Sequence, residues 1–250
     1  MAINAQGSMG KVRAFSDFIG VEKLAALTAG SENIGDFRLI GQGIAEADSG
    51  AVSVEADGLN GVIQLTTTDE TEHSCGLTTA KCFDIGLMGT LVAETRVRFT
   101  DLDTKEFYFG LTDVNDDTAI LEGGNLTGAT ATLTYTASDL CGFFLSADLT
   151  DDEDWHMVYV GGTTTGLTAS GSLDADDDAV AGEWQILRLE VDNDGTARWY
   201  IDGVLKQTVS GAVSTTTDLA VLTMVEAKGA AIETADIDYI LVEANRDWTA

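Results

Sequence analysis

Apolar and polar positions alternate with a period near two through most of this chain, most clearly between Trp184 and Val209. Trp184, Ile186, Leu187, Leu189 and Val191 lead into Asp192-Asn-Asp-Gly, Arg198-Trp-Tyr-Ile follows, and Asp202-Gly203 precedes Val204-Leu-Lys-Gln-Thr-Val. This spacing predicts two successive antiparallel hairpins, the second closed by an Asp-Gly dipeptide that supplies the positive φ angles of a tight primed turn. In another strand Leu91, Ala93, Val97 and Phe99 fall on one face and Glu94, Arg96 and Arg98 on the other, so one face is buried and one is wet. Phe107, Phe109 and Leu111 share a face in the next strand and should meet that apolar side in one core. Further strands are expected at Val52–Ala56, Val62–Thr66, Leu140–Leu145, Asp154–Val160, Ala220–Val225 and Ile237–Val242, with an acidic loop at Asp174–Asp178.

The first 50 residues read differently, being mixed, Gly-punctuated and weakly periodic. A short helix is expected from Ser16 to Leu27, capped by Ser16 or Asp17, with Phe18, Val21, Leu24 and Ala25 on one face and Gly20 weakening it. The predicted organisation is an N-terminal arm over 1–50, largely irregular, followed by an all-β antiparallel sandwich over 51–250.

Composition narrows the partners. Thirteen Lys and Arg against 42 Asp and Glu give a net charge of −29, a field that repels phosphate backbones and anionic lipid, so neither nucleic acid nor a membrane is expected as a partner. No run approaches the roughly 20 apolar residues of a membrane span. The opening Met1-Ala-Ile-Asn-Ala-Gln-Gly lacks a basic n-region and an apolar h-region, so no Sec export is expected. Proline is absent and Gly reaches 27, so turns must be built from Gly, Asp and Asn.

Candidate chemistry is sparse. A glucanase on such a sandwich needs Glu-x-Asp-x-x-Glu on one strand, so that alternate residues place acid and nucleophile on one face. Glu190-Val-Asp192-Asn-Asp194-Gly195 begins that motif and fails at Gly195, and Asp236-Ile-Asp238 lacks both glutamates. Glu190, Asp192, Asp194 and Gly195 also resemble the start of a calcium loop, but Ile201 stands where the bidentate carboxylate belongs, and a hairpin turn explains the same residues. Asp151-Asp-Glu-Asp and Asp174–Asp178 could hold a surface Ca²⁺, although solvated acidic loops account for them; no metal or other cofactor is expected. Cys75, Cys82 and Cys141 cannot all pair within one chain and are expected as reduced thiols, with a Cys75–Cys82 disulfide, or a zinc set including His73, as lesser alternatives. His156 has no nucleophile motif to serve. Trp184 and Trp199 are expected in the core, which leaves Trp155 and Trp248 as candidate ligand-stacking residues.

The run from Glu183 to Leu205, with its W-x-x-L-R and Y-(I/V)-D-G elements, resembles the hairpin signature of concanavalin A-like jelly rolls, including laminin-G-like and bacterial glucanase members; Asp236–Glu243 is similar to their closing strand. That resemblance implies an antiparallel jelly-roll sandwich and says little about activity. The order of Leu91–Phe99, Cys141–Asp148, Asp154-Trp-His and the Trp184 block, together with Gln6–Phe18, resembles structural proteins of tailed-bacteriophage virions. This second resemblance implies a capsid decoration or cement protein that binds the major capsid protein as a homotrimer on the outer capsid surface after synthesis in the host cytoplasm, gripping through arm residues such as Lys11, Arg13, Phe15 and Phe18. A carbohydrate-binding or host-adhesion head-fibre module on the same fold is the alternative, and no enzyme activity is expected.

Overall fold

The computed structural model describes residues 10–19, 33–41, 51–54, 61–116 and 120–247. Among them are two antiparallel sheets packed face to face. The first sheet runs in the order β17 (Val204–Val209), β16 (Ala197–Ile201), β15 (Gln185–Val191), β8 (Leu91–Arg98), β19 (Thr234–Asn245), β5 (Ile63–Thr66) and β4 (Ala51–Val54), with β1 (Lys11–Ser16) also on β19. The second runs β14 (Asp174–Asp178), β13 (Asp154–Val160), β12 (Leu140–Ser146), β9 (Lys105–Thr112), β18 (Asp218–Ala227), β6 (Ser74–Thr78), β3 (Phe37–Ile40) and β2 (Asn33–Ile34), with β7 (Phe83–Asp84) on β18. A separate hairpin, β10 (Leu126–Ala129) and β11 (Thr132–Tyr135), completes the strands. One helical turn, Ile85–Met88, is capped by the Asp84 carboxylate, which accepts from the Leu87 amide.

The expected hairpins form where the turn chemistry placed them. Asp202 and Gly203 take φ of 49° and 79°, both positive as a primed turn requires. In β8 buried and half-buried residues alternate without a break, whereas β9 and β12 are buried at every position. The first sheet is therefore wet on its outer face, and the centre of the second, at β9 and β12, is dry on both.

The core lies between the sheets. Phe99 follows β8 and stands 5.2 Å from Phe107 of β9, edge to face, and Trp155 of β13 packs at 6.0 Å from each of them and 6.4 Å from Phe143 of β12. Such pairs add to the burial of their area because the positive edge of one ring meets the negative face of another. Each core tryptophan sends its polar N–H across the sandwich. Trp199 of the first sheet donates to the Gly142 carbonyl of the second (2.8 Å), and Trp155 of the second donates to the Gln185 side chain of the first (2.9 Å).

The segment expected to stand apart as an arm is drawn into both sheets wherever it is described. Lys11–Ser16 pairs with β19 in register from Asn245 to Ile240, and β2 and β3 extend the second sheet. The cause is edge length: β5 covers β19 only from Thr234 to Ile237, so the rest of that long strand would present unpaired backbone groups without β1. The helix expected from Ser16 does not start there. Ser16 ends β1, Phe18 takes a φ of 54° and is buried, and positions 20–27 lie outside the described residues. Asp174–Asp178, expected as a loop, is the edge strand β14.

Because Trp155 is fully buried among three rings, Trp155→Ala should cost about 3–5 kcal/mol of unfolding free energy. Trp184→Ala, which loses only a half-buried cation–π stack, should cost about 1 kcal/mol. Urea titrations of the two variants, read at unchanged m-value, check the difference.

Candidate functional site

The outer face of the second sheet is sealed by the chain itself. Tyr108, Phe144 and Met224 point outward from β9, β12 and β18, yet all are buried, because the segment around β10 and β11 lies over them with Leu121, Leu126 and Leu133 turned inward. Gly110 and Gly142 pair directly across the strands, and a Cβ on Gly142 would meet the Tyr108 hydroxyl at 2.8 Å and the Phe109 carbonyl at 2.3 Å, so glycine lets that tyrosine lie flat. The Tyr108 hydroxyl donates to the Leu111 carbonyl (2.6 Å).

A carboxylate cluster pins this cover at one end. Glu106 and Glu226 are cross-strand neighbours and both are fully buried. Glu226 accepts from the amides of Leu121 (2.6 Å) and Glu122 (2.8 Å), and Glu106 accepts from the Ser146 hydroxyl (2.7 Å). Lys228 bonds Glu122, lies 2.9 Å from Asp148 and stands 3.8 Å from Glu106. Burial pushes the Glu106 carboxyl up to about 7 against the pull of Lys228, and burial followed by repulsion from Glu106 raises Glu226 as well. Two carboxyls side by side can serve as acid and base, but here no substrate can reach them.

Three aspartates gather at the β13–β14 edge. Oxygen atoms of Asp151, Asp154 and Asp174 lie within 4.8 Å of one another, an all-oxygen set of the kind a hard cation takes. Burial and the neighbouring Asp178, Asp174 and Asp151 raise Asp154 to about 7. Charge along an exposed sheet edge also deters pairing with another chain, and that role accounts for these residues with no ion. Beside them His156 is fully buried, and burial lowers its pKa.

The residues expected to carry function are scattered. Trp155, expected as a ligand-stacking ring, is a core side chain, because its parity along β13 turns it toward Phe99 and Phe107 rather than outward; Trp248 lies outside the described residues. Phe18, expected to grip a partner, is 2% exposed and packs into the core. Lys11 reaches Glu243 at 3.7 Å, and Arg13 stacks over the Phe15 ring at 5.2 Å, so these three are half-buried members of the first sheet. Trp184, expected in the core, lies on that sheet's outer face with the guanidinium groups of Arg96 and Arg98 each 4.7 Å from its ring. The thiols of Cys75 and Cys141 are buried and raised by burial, Cys75 to about 12, and none of the three cysteines is paired. Among the described residues the only group close enough to share an ion is the aspartate trio, so no zinc set forms. Glu190, Asp192 and Asp194 are engaged by Arg188, Arg198 and the Thr196 amide, as a hairpin reading requires.

Among the described residues a polar pocket of about 410 Å³ opens at the other end of the second sheet from the buried carboxylates, lined by Asn33, Asp36, Arg38, Thr78, Ala80, Lys81 and Asn115. Asn33 and Arg38 face each other across the β2–β3 hairpin, and Thr78 is the register partner of Arg38. The loop after β9 forms the opposite wall. Arg38 donates to the Asn115 carbonyl, Lys81 to the Asp113 carbonyl (2.8 Å), and the Asn115 amide to the Thr79 carbonyl (3.0 Å). These bonds hold a guanidinium, an ammonium and an amide in one concavity beside the Asp36 carboxylate. A second pocket of about 340 Å³ carries Asp101, Asp103, Glu153 and Asp178 beside Leu102 and Val180, with no cation in its lining.

No family profile matches the chain, and no curated protein matches it in sequence. Solved structures do match in shape. A protein of unknown function from Shewanella oneidensis MR-1 aligns over 96% of this chain and 89% of its own, at TM-score 0.57 and 13% identity. A laminarinase from Flavobacterium sp. UMI-01 aligns over 92% of this chain and 98% of its own (TM-score 0.56, 13% identity), and peanut lectin over 94% and 97% (TM-score 0.54, 11% identity). The fold is a lectin- and glucanase-like jelly roll.

The buried carboxyls make stability depend on pH in an unusual direction. Raised folded-state values mean that Glu106 and Asp154 hold protons which the unfolded chain gives up near pH 4, so the folded state binds more protons between about pH 4 and 7 and their contribution to stability falls across that interval; Glu226 is raised in the same direction. The melting temperature should therefore decline as pH rises from 4.5 to 7.5, and Glu106→Gln should flatten the decline. A thermal series in constant ionic strength measures it.

Proposed function

We propose that this protein is a non-catalytic glycan-binding module, and that the pocket walled by Asn33, Asp36, Arg38, Thr78, Lys81 and Asn115 is its binding site. The observation that carries the reading is this pocket. It presents donors and acceptors together, several of them held by hydrogen bonds, in a volume within the range of small-molecule sites. Asn115 is 7% exposed and its amide is fixed by Thr79, so its side-chain oxygen keeps one orientation as an acceptor.

Further support comes from what the fold leaves out. The outer face of the second sheet, where an extended chain could lie, is filled by the β10–β11 segment. The glucanase motif fails at Gly195, and the paired carboxyls Glu106 and Glu226 are sealed. The structures that share the fold include a laminarinase, a lectin and a carbohydrate recognition domain, so the scaffold is compatible with sugar recognition while the chain's own residues favour holding over cleaving.

A glycan array followed by calorimetry on the best ligand should give binding that Asn115→Ala weakens about tenfold by removing a hydrogen-bonding partner. No product should appear on prolonged incubation. A blank array together with stoichiometric co-sedimentation on assembled phage heads would replace this reading with capsid decoration, and turnover of any glycan would end the non-catalytic part of it.

A further inference from the structure

We infer that Asp151, Asp154 and Asp174 hold a Ca²⁺ ion at the β13–β14 edge, with the buried imidazole of His156 orienting the Asp174 carboxylate from behind. This edge lies at the opposite side of the second sheet from the polar pocket, so the ion site is independent of glycan binding.

Local backbone geometry brings the three carboxylates together. Asp151 stands in the turn before β13, where its carbonyl accepts from the Asp154 amide at 3.3 Å. Asp154 pairs with Asp178 and His156 with Asp174, so β14 bulges between these two register points. The bulge carries Asp176 at a φ of 48°, and the Asp176 amide donates to one Asp174 carboxylate oxygen (2.7 Å), which fixes that side chain beside its neighbours. Three oxygens within 4.8 Å of one another can all meet one Ca²⁺ at about 2.3–2.6 Å, and water fills the rest of its shell on the exposed Asp151 side. Mg²⁺, at about 2.0–2.1 Å, demands a tighter octahedron than a turn and an edge strand supply. A set of oxygens alone favours a hard cation over zinc or copper.

Defence of the edge accounts for carboxylates here, but it asks for nothing behind them. Behind them is His156, fully buried, with neither ring nitrogen making a hydrogen bond. Backbone groups of Asp154 and Phe144 lie near the ring without completing one. Trp155 turns into the core, so Asp154 and His156 share the other face of β13, and the residue opposite His156 is Asp174. The ring therefore stands against two of the three acids, and the charged groups acting on it are Asp174 and Asp151. A buried polar ring without a partner is destabilising, and an apolar one would fill the space without that cost. What histidine adds is an N–H for a ligating carboxylate, the outer contact by which metal sites orient their ligands.

The test uses the full chain stripped with a chelator, titrated with CaCl₂ and, in parallel, MgCl₂ by calorimetry and by melting temperature at constant pH and ionic strength. Ca²⁺ should bind at one site, raise the melting temperature saturably and bind about tenfold or more tightly than Mg²⁺. Asp154→Asn should not lower the melting temperature in chelator, because it relieves crowding of like charge, yet it should abolish the rise with Ca²⁺. Asp152→Asn removes an exposed charge next to the trio and should keep the full response. His156→Phe fills the same space, so it should hold the melting temperature in chelator while weakening Ca²⁺ about tenfold. Absence of a saturable response, or an equal response in Asp152→Asn and Asp154→Asn, would reduce the effect to screening of the net charge and overturn the site. Tighter binding of Mg²⁺ would overturn the choice of ion, and undiminished Ca²⁺ affinity in His156→Phe would overturn the positioning role.

Discussion

Burial of both faces of the second sheet is the constraint from which the rest of this structure follows. A sheet covered on one side only can afford polar residues at every second position, as β8 shows with its alternating pattern. Once the segment around β10 and β11 lies over β9, β12 and β18, every outward side chain must be apolar, small or provided with a partner. Tyr108 is accommodated by the glycine pair beneath it and by a carbonyl for its hydroxyl. Glu106 and Glu226, which have no such neutral solution, are tied to Ser146, to two loop amides and to Lys228, and retain protons that exposed glutamates would lose. The same cover closes the sheet's centre, and at its margin the Asn115 loop and the β2–β3 hairpin leave a gap.

The fold was legible in the sequence wherever one face of a strand met water. Period-two alternation in Leu91–Arg98 and Gln185–Val191, together with Asp202-Gly203, placed the first sheet correctly. The same rule places Trp184, which shares parity with Ile186, Arg188 and Glu190 and so belongs on the outer face. Reading its hydrophobicity in place of its parity put it in the core. Trp155 offered no such guide, because the run Trp155-His-Met-Val-Tyr is buried on both sides and carries no polar parity to reveal which way the ring points. Four aspartates in Asp174–Asp178 read as a loop because strands are usually poor in aspartate, yet an exposed edge is where such charge is useful.

The pocket was not legible at all. Its residues come from positions 33 to 115, none forms a motif with its neighbours in sequence, and each alone reads as an ordinary turn or surface residue. They meet because β3 pairs with β6 and because the loop after β9 folds back to bond Arg38 and Lys81 through its own carbonyls. Long-range pairing creates the concavity, and pairing partners cannot be read from local periodicity.

Charge distribution gives the arrangement its sense. On the first sheet's outer face opposite charges are matched in place: Arg96 with Asp238, Arg98 with Asp236, Arg188 with both Glu94 and Glu190. These contacts neutralise the three guanidinium groups and leave one carboxylate over, with Asp236 and Asp238 buried beneath their arginines. The uncompensated negative charge is spread over loops and the β14 edge, where it opposes association of copies and approach of anions alike.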